Sequence, residues 1–119
     1  MSARLGPHRL IGICAITLIL ACCLKCGAGQ HKQTVPTQHS VSLSWSPSST
    51  SNVEYNIYRG TQHLGPYPVK VNPVPLSSTS FTDSSVQNGK TYYYVVTAVD
   101  QNSVESYYSN EAQIIVPAS

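Results

Sequence analysis

Ser40-Val41-Ser42-Leu43-Ser44-Trp45 decides the fold: apolar Val41, Leu43 and Trp45 alternate with Ser40, Ser42 and Ser44, a period of two. Successive side chains of an extended strand point to opposite faces, so the pattern predicts a strand with one face buried and one wet. Pro47 and the run Ser48-Ser49-Thr50-Ser51 end it with residues that compete for backbone hydrogen bonds and favour turns.

The same period recurs downstream. Val53, Tyr55 and Ile57 alternate with Glu54, Asn56 and Tyr58 until Arg59-Gly60 closes the strand. Gly65-Pro66 precedes a brief strand over residues 67–71. Pro68, Pro73 and Pro75 confine that region to a sheet edge, because proline cannot donate to a ladder. A short strand is expected around Ser80, Phe81 and Thr82, and Asn88-Gly89 is a tight-turn pair. Residues 91–100 form the longest strand, rich in Tyr and Val. The last, over residues 110–116, sets Ala112, Ile114 and Val116 on one face. No ten-residue window carries a helical period. Six or seven short strands at regular spacing predict an all-β, immunoglobulin-like antiparallel β-sandwich. Its inward positions are Val41, Leu43, Trp45, Tyr55, Ile57, Phe81, Tyr92, Tyr94, Val96, Ala98, Ala112 and Ile114.

Upstream the chain changes character. Residues 10–24 are an uncharged, mostly apolar run of fifteen, preceded by Arg4 and Arg9 and ended by Lys25. A membrane-spanning helix needs about 17–25 such residues and the core of an export signal about 7–15. Residues 1–29 therefore read as an export leader, with small residues at Gly27, Ala28 and Gly29. All four cysteines, Cys14, Cys22, Cys23 and Cys26, fall in this part, so the sandwich is expected to stand on its core without a disulfide. Leu18-Ile19-Leu20-Ala21-Cys22 resembles a bacterial lipobox, which makes Cys22 the candidate lipidation site. Cleavage after Gly29 by the ordinary signal peptidase is a second reading, and an uncleaved membrane anchor a third. The mature form is then either a membrane-anchored lipoprotein or a secreted protein. Residues 30–39 are polar, punctuated by Pro36, and read as a linker or a short first strand.

The net charge of +2 belongs to the leader. From Gln30 onward four cations (Lys32, Arg59, Lys70, Lys90) face five anions (Glu54, Asp83, Asp100, Glu105, Glu111), which leaves −1. Such a domain carries no basic stripe for a phosphate backbone, and nucleic acid is excluded as a partner. The histidines His8, His31, His39 and His63 are scattered without metal-ligand spacing, and no phosphate loop or nucleophile elbow appears. Carboxylates are too few and too isolated to suggest an acid/base pair. The reading is a non-catalytic domain with no cofactor.

Five pieces in order resemble a fibronectin type III domain of the kind common in bacterial extracellular proteins. Val41-Ser42-Leu43-Ser44-Trp45 resembles the second strand with its buried tryptophan, and Val53-Glu54-Tyr55-Asn56-Ile57-Tyr58-Arg59 the third. Gly65-Pro66-Tyr67 is similar to the lead-in to the next edge strand. The stretch from Gly89 to Asp100 resembles the sixth strand, and Glu105-Ser106-Tyr107-Tyr108-Ser109-Asn110 the approach to the seventh. The resemblance covers residues 40–117. It implies a structural role for Trp45 in the core, and for Tyr92 as a tyrosine corner whose hydroxyl bonds the preceding turn. It departs at the start, where residues 30–38 offer only Val35 as an apolar anchor. The edge there is expected to be poorly covered and open to pairing.

The resemblance implies a module that spaces or mediates contacts with a protein or glycan at the cell envelope, and reaches the membrane through its leader or a lipid anchor. An accessory domain derived from a carbohydrate-active enzyme is one alternative, and an enzyme with an unrecognised site is the other. Counting by two from the inward residues puts Tyr58, Tyr93, Val95, Val99 and Ile115 on the outer face of the sheet that the third, sixth and seventh strands share. Two readings of that face stand. Either its residues pair across strands as ordinary sheet surface, or Tyr58 and Tyr93 form an exposed patch that binds a partner.

Overall fold

The computed structural model describes residues 16–21, as backbone, and 38–118. Every regular element in it is a strand: β1 (Ile16–Ala21), β2 (Ser40–Trp45), β3 (Glu54–Gly60), β4 (Val69–Lys70), β5 (Ser80–Asp83), β6 (Thr91–Val99) and β7 (Ala112–Ile115). Two antiparallel sheets result, one in the order β1-β2-β5 and the other β4-β3-β6-β7. The chain is an all-β sandwich. Among the described residues no helix is long and apolar enough to cross a membrane.

Period two becomes burial directly. In β2 the inward Val41, Leu43 and Trp45 are buried while Ser40, Ser42 and Ser44 are half-exposed. Opposite them lie Tyr55 and Ile57 of β3 and Tyr92, Tyr94, Val96 and Ala98 of β6, all buried. Trp45 meets Tyr55 edge to face, ring centroids 5.5 Å apart. The Tyr92 hydroxyl accepts the backbone N–H of Gln87 at 3.0 Å, which ties the turn before β6 to the core. Val86 and Val116 join the core from outside the strands, and Phe81 and Ile114 reach only its rim.

Arg59 with Asp83, and Asn72, bring polar groups into the interior with their partners. Parity puts Arg59 on the inner face with Tyr55 and Ile57, opposite Tyr94 of β6. Its Nη1 donates to Asp83 Oδ2 of β5 at 2.6 Å, so one ion pair joins the two sheets, and its guanidinium lies 4.9 Å from the Tyr92 ring centroid. Asn72 is fully buried where Pro73 and Pro75 interrupt pairing at the β3 edge. Its Oδ1 accepts the N–H of Ile57 at 2.8 Å. Its Nδ2 donates to the carbonyls of Tyr55 and Val74. The amide side chain thus replaces the ladder that the prolines cannot extend.

The first strand departs from expectation. Residues 30–37 lie outside the described residues, and the strand beside β2 is Ile16–Ala21, within the apolar run. Its register runs from Ile16 opposite Trp45, through Leu18 opposite Leu43, to Ala21 opposite Ser40. The sequence explains the fit: Ile16, Leu18 and Leu20 repeat at the same period of two as Val41, Leu43 and Trp45, which residues 30–38 do not.

Candidate functional site

Register places all five candidate face residues together. Tyr58 lies opposite Val95, Tyr93 lies between Gly60 of β3 and Gln113 of β7, Val99 lies opposite Glu54, and Ile115 lies opposite Thr91. Sharing a face does not make them accessible. Val95 is 1% exposed and Val99 8%, whereas Ile115 is 64% exposed. The two valines are covered: residues 101–110 turn back along the edge of β6 instead of running on into a strand, and Glu105 and Tyr108 reach over its outer face.

That fold-back is built from hydrogen bonds. The N–H groups of Ser106 and Ser109 donate to the carbonyls of Ala98 and Val96, both at 2.8 Å. In return the Ser106 and Ser109 hydroxyls accept the N–H groups of Ala98 and Val96, both at 2.9 Å. Glu105 then reaches over the sheet. Its carboxylate accepts the Tyr58 hydroxyl at 2.9 and 3.0 Å and the Thr97 hydroxyl at 2.6 Å. Tyr108 follows, with its ring 6.0 Å from Tyr58 and 5.2 Å from Tyr67, edge to face in both cases.

A second carboxylate holds the lower half. Glu111 Oε1 lies 2.6 Å from His63 Nδ1, and Oε2 accepts the Leu64 N–H at 2.6 Å and the Tyr67 hydroxyl at 2.7 Å. The His63 ring rests 5.8 Å from that of Tyr93. Gly60 permits this approach, because a Cβ there would collide with the Pro66 carbonyl oxygen. Burial, reinforced by Glu105, raises the Tyr58 hydroxyl pKa, and burial with Glu111 raises that of Tyr67. Burial works against the Glu111 carboxylate, but the Tyr67 hydroxyl, the Leu64 N–H and His63 outweigh it and hold the group below its ordinary range. Both tyrosines thus stay donors and Glu111 stays an acceptor near neutral pH.

The product is an aromatic ridge on the clamped loop of residues 101–110, with the loop held by Glu111 beside it. Tyr107 is 63% exposed and Tyr108 54%. Tyr58 and Tyr93, the tyrosines singled out from the sequence, form its half-buried floor. Sequence reasoning missed Tyr107, Tyr108, Glu105 and Glu111 as parts of the face, since they lie in loops where parity says nothing. It also missed the Arg59–Asp83 pair, although a charge at the parity of Tyr55 and Ile57 was a usable signal. Cys22 lies outside the described residues. Among the described residues no three His, Cys, Asp or Glu side chains gather in a way that could hold a metal.

No family model matches the sequence. A solved Fn3-like protein from Clostridium thermocellum is 36% identical with a TM-score of 0.58, over 70% of this chain and 82% of that one. Two enzymes match over 73 residues, 61% of this chain. They are an amylopullulanase from Thermoanaerobacter thermohydrosulfuricus, 44% identical, and a poly(3-hydroxybutyrate) depolymerase from Ralstonia pickettii, 37% identical. The chain spans only 5% and 13% of those two proteins.

Proposed function

The chain belongs to the Fn3-like family of β-sandwiches, and on that premise we propose that it is an exported, non-catalytic module that contacts other macromolecules through the Tyr107–Tyr108 ridge. One observation carries the reading: two adjacent tyrosines stand exposed on a loop that Glu105, Ser106 and Ser109 fix to the sheet. Exposed aromatics on a rigid support offer wide contact area at low entropic cost. Export is supported by the reading of residues 1–29 as a leader.

The matched relatives guide the choice of ligand. Their names are those of enzymes acting on polymers, and the segment similar to this chain is a small fraction of each. An accessory domain that holds a polymer chain against an aromatic ridge fits that setting, and pullulan, amylopectin and poly(3-hydroxybutyrate) granules are the probes to use. The experiment is affinity electrophoresis through gels containing either polysaccharide, with co-sedimentation on the granules. Tyr107→Ser with Tyr108→Ser should abolish retardation or sedimentation while the protein still melts cooperatively, lowered only by the loss of the Tyr108 contacts with Tyr58 and Tyr67, and Tyr107→Ser alone should weaken binding at an unchanged melting temperature. Equal binding by the variant would move the contact off the ridge. Wild-type protein that binds none of the three would leave a spacing role only.

A further inference from the structure

On the leader reading of residues 1–29, β1 does not stay with the sandwich. Cleavage after Gly29 or before Cys22 removes Ile16–Ala21, and an uncleaved anchor holds the segment as a helix in lipid, where it cannot pair as a strand. What remains of the first sheet is then β2 paired with β5 alone.

We propose, resting on that leader reading, that the vacated edge of β2 is a docking site. Its occupant is an extended segment of another exported protein, apolar at alternate positions, which joins the sheet in place of β1.

The direction of the backbone groups supports this. The Trp45 N–H donates to the Thr79 carbonyl, on the β5 side, at 3.0 Å. Backbone groups point to alternate sides along a strand, so those of Leu43 and Val41 also face β5, where Phe81 and Asp83 lie opposite. The N–H and C=O of Ser42 point the other way, to the side on which Ile19 is the partner. Once β1 is gone these groups edge the sheet, and such an edge is a template for another strand.

Register states what the edge accepts. Ile16, Leu18 and Leu20 lie opposite Trp45, Leu43 and Val41, three apolar residues at a spacing of two. The chain has no second segment of that pattern before β2, since residues 30–38 offer only Val35. A second copy's β2 does not fit either. β1 also lies against β7 of the other sheet, so the place is one strand wide and already floored. The Val41, Leu43 and Trp45 of a second copy are covered by its own β3 and β6, which would run into β7. A bare extended segment meets no such obstacle. Main-chain hydrogen bonds supply its affinity and the alternate side chains its selectivity.

The test starts from the full chain, expressed in a bacterium with its leader. The exported form is recovered, in detergent where it is membrane-bound, and its N-terminus is read by intact mass. The probe is a synthetic peptide of Ile16–Ala21 with lysines added at both ends. Binding is read from the emission of Trp45, the only tryptophan, and from hydrogen exchange at the Ser42 amide. The peptide should bind saturably and slow exchange at Ser42 about tenfold or more. N-methylation of the peptide at Ile19, whose N–H faces Ser42, should weaken binding about tenfold, whereas N-methylation at Leu18, whose N–H faces away, should leave it unchanged. A peptide that does not bind, or equal binding by the two methylated peptides, would overturn the proposal. A Ser42 amide already protected without peptide, in protein that has lost Ile16–Ala21, would overturn it too, because the chain's own residues or a second copy then fill the edge. Exported protein that retains Ile16–Ala21 and protects Ser42 with it would instead bring down the leader reading, and the proposal with it.

Discussion

At the scale of single residues, the heaviest demand falls on Asp83. It is 3% exposed and receives, besides Arg59, the hydroxyls of Tyr94 and Ser85 and the N–H of Ser85. Burial alone would raise its pKa. The Ser85 and Tyr94 hydrogen bonds and the Arg59 charge more than offset that, and hold the carboxyl below its usual 3.8. Breaking a buried pair by removing one partner strands the other charge, so Asp83→Ala should destabilise by about 3–5 kcal/mol in urea titrations at pH 7. A depressed folded-state pKa means the unfolded chain binds the proton more readily. The contribution is thus complete above the unfolded value and disappears as pH falls through the folded one. Wild-type stability should decline below about pH 4, and the variant should show a shallower decline over that window. Parallel curves would remove Asp83 from the account of acid sensitivity.

At the scale of elements, loops decide the outer face, and Gly60 is the point where one of them bears on the sheet. A methyl group at residue 60 meets a backbone carbonyl, which cannot swing aside as the end of a side chain could. Gly60→Ala should lift residues 61–68 and cost about 1–3 kcal/mol, as overpacking does. The readout specific to the loop is hydrogen exchange at the Leu64 amide, which Glu111 now holds at 2.6 Å. Its protection should fall by more than that of the β6 amides. Unchanged exchange at Leu64 would mean the clasp does not depend on Gly60. The fold-back of residues 101–110 works by the same logic on the other half of the face. There Ser106 and Ser109 bond the β6 edge through both backbone and side chain, so β7 pairs only with Thr91 to Tyr94.

Across the whole molecule, stability must come from packing between the sheets, since no cysteine lies beyond Cys26. A disulfide across a small domain contributes about 2–4 kcal/mol, and 1 kcal/mol shifts the melting point of a domain this size by about 4–8 °C. Reduction would therefore be conspicuous if a covalent staple mattered. The full chain should melt at the same temperature with and without dithiothreitol. A lower melting point on reduction would show that the leader cysteines bear on the fold.

What the sequence by itself determined was the set of strands from β2 to β7 and the face on which each residue lies. The alternation of Val41, Leu43 and Trp45, or of Tyr92, Tyr94 and Val96, is local, and side-chain direction in a strand follows from it without knowledge of the rest. Tertiary structure alone decided which outward residues remain in contact with solvent. Tyr58, Val95 and Val99 have the outward parity of Ile115, yet only Ile115 is open, because the loop carrying Glu105 and Tyr108 lies over the others. The clasp between His63 and Glu111 spans 48 residues, and the pair joining Arg59 to Asp83 spans 24. The identity of the first strand was settled the same way. Residues 10–24 read as a leader because apolar length is what a membrane selects. Ile16, Leu18 and Leu20 serve as β1 because the edge of β2, with Val41, Leu43 and Trp45 at matching spacing, selects for period.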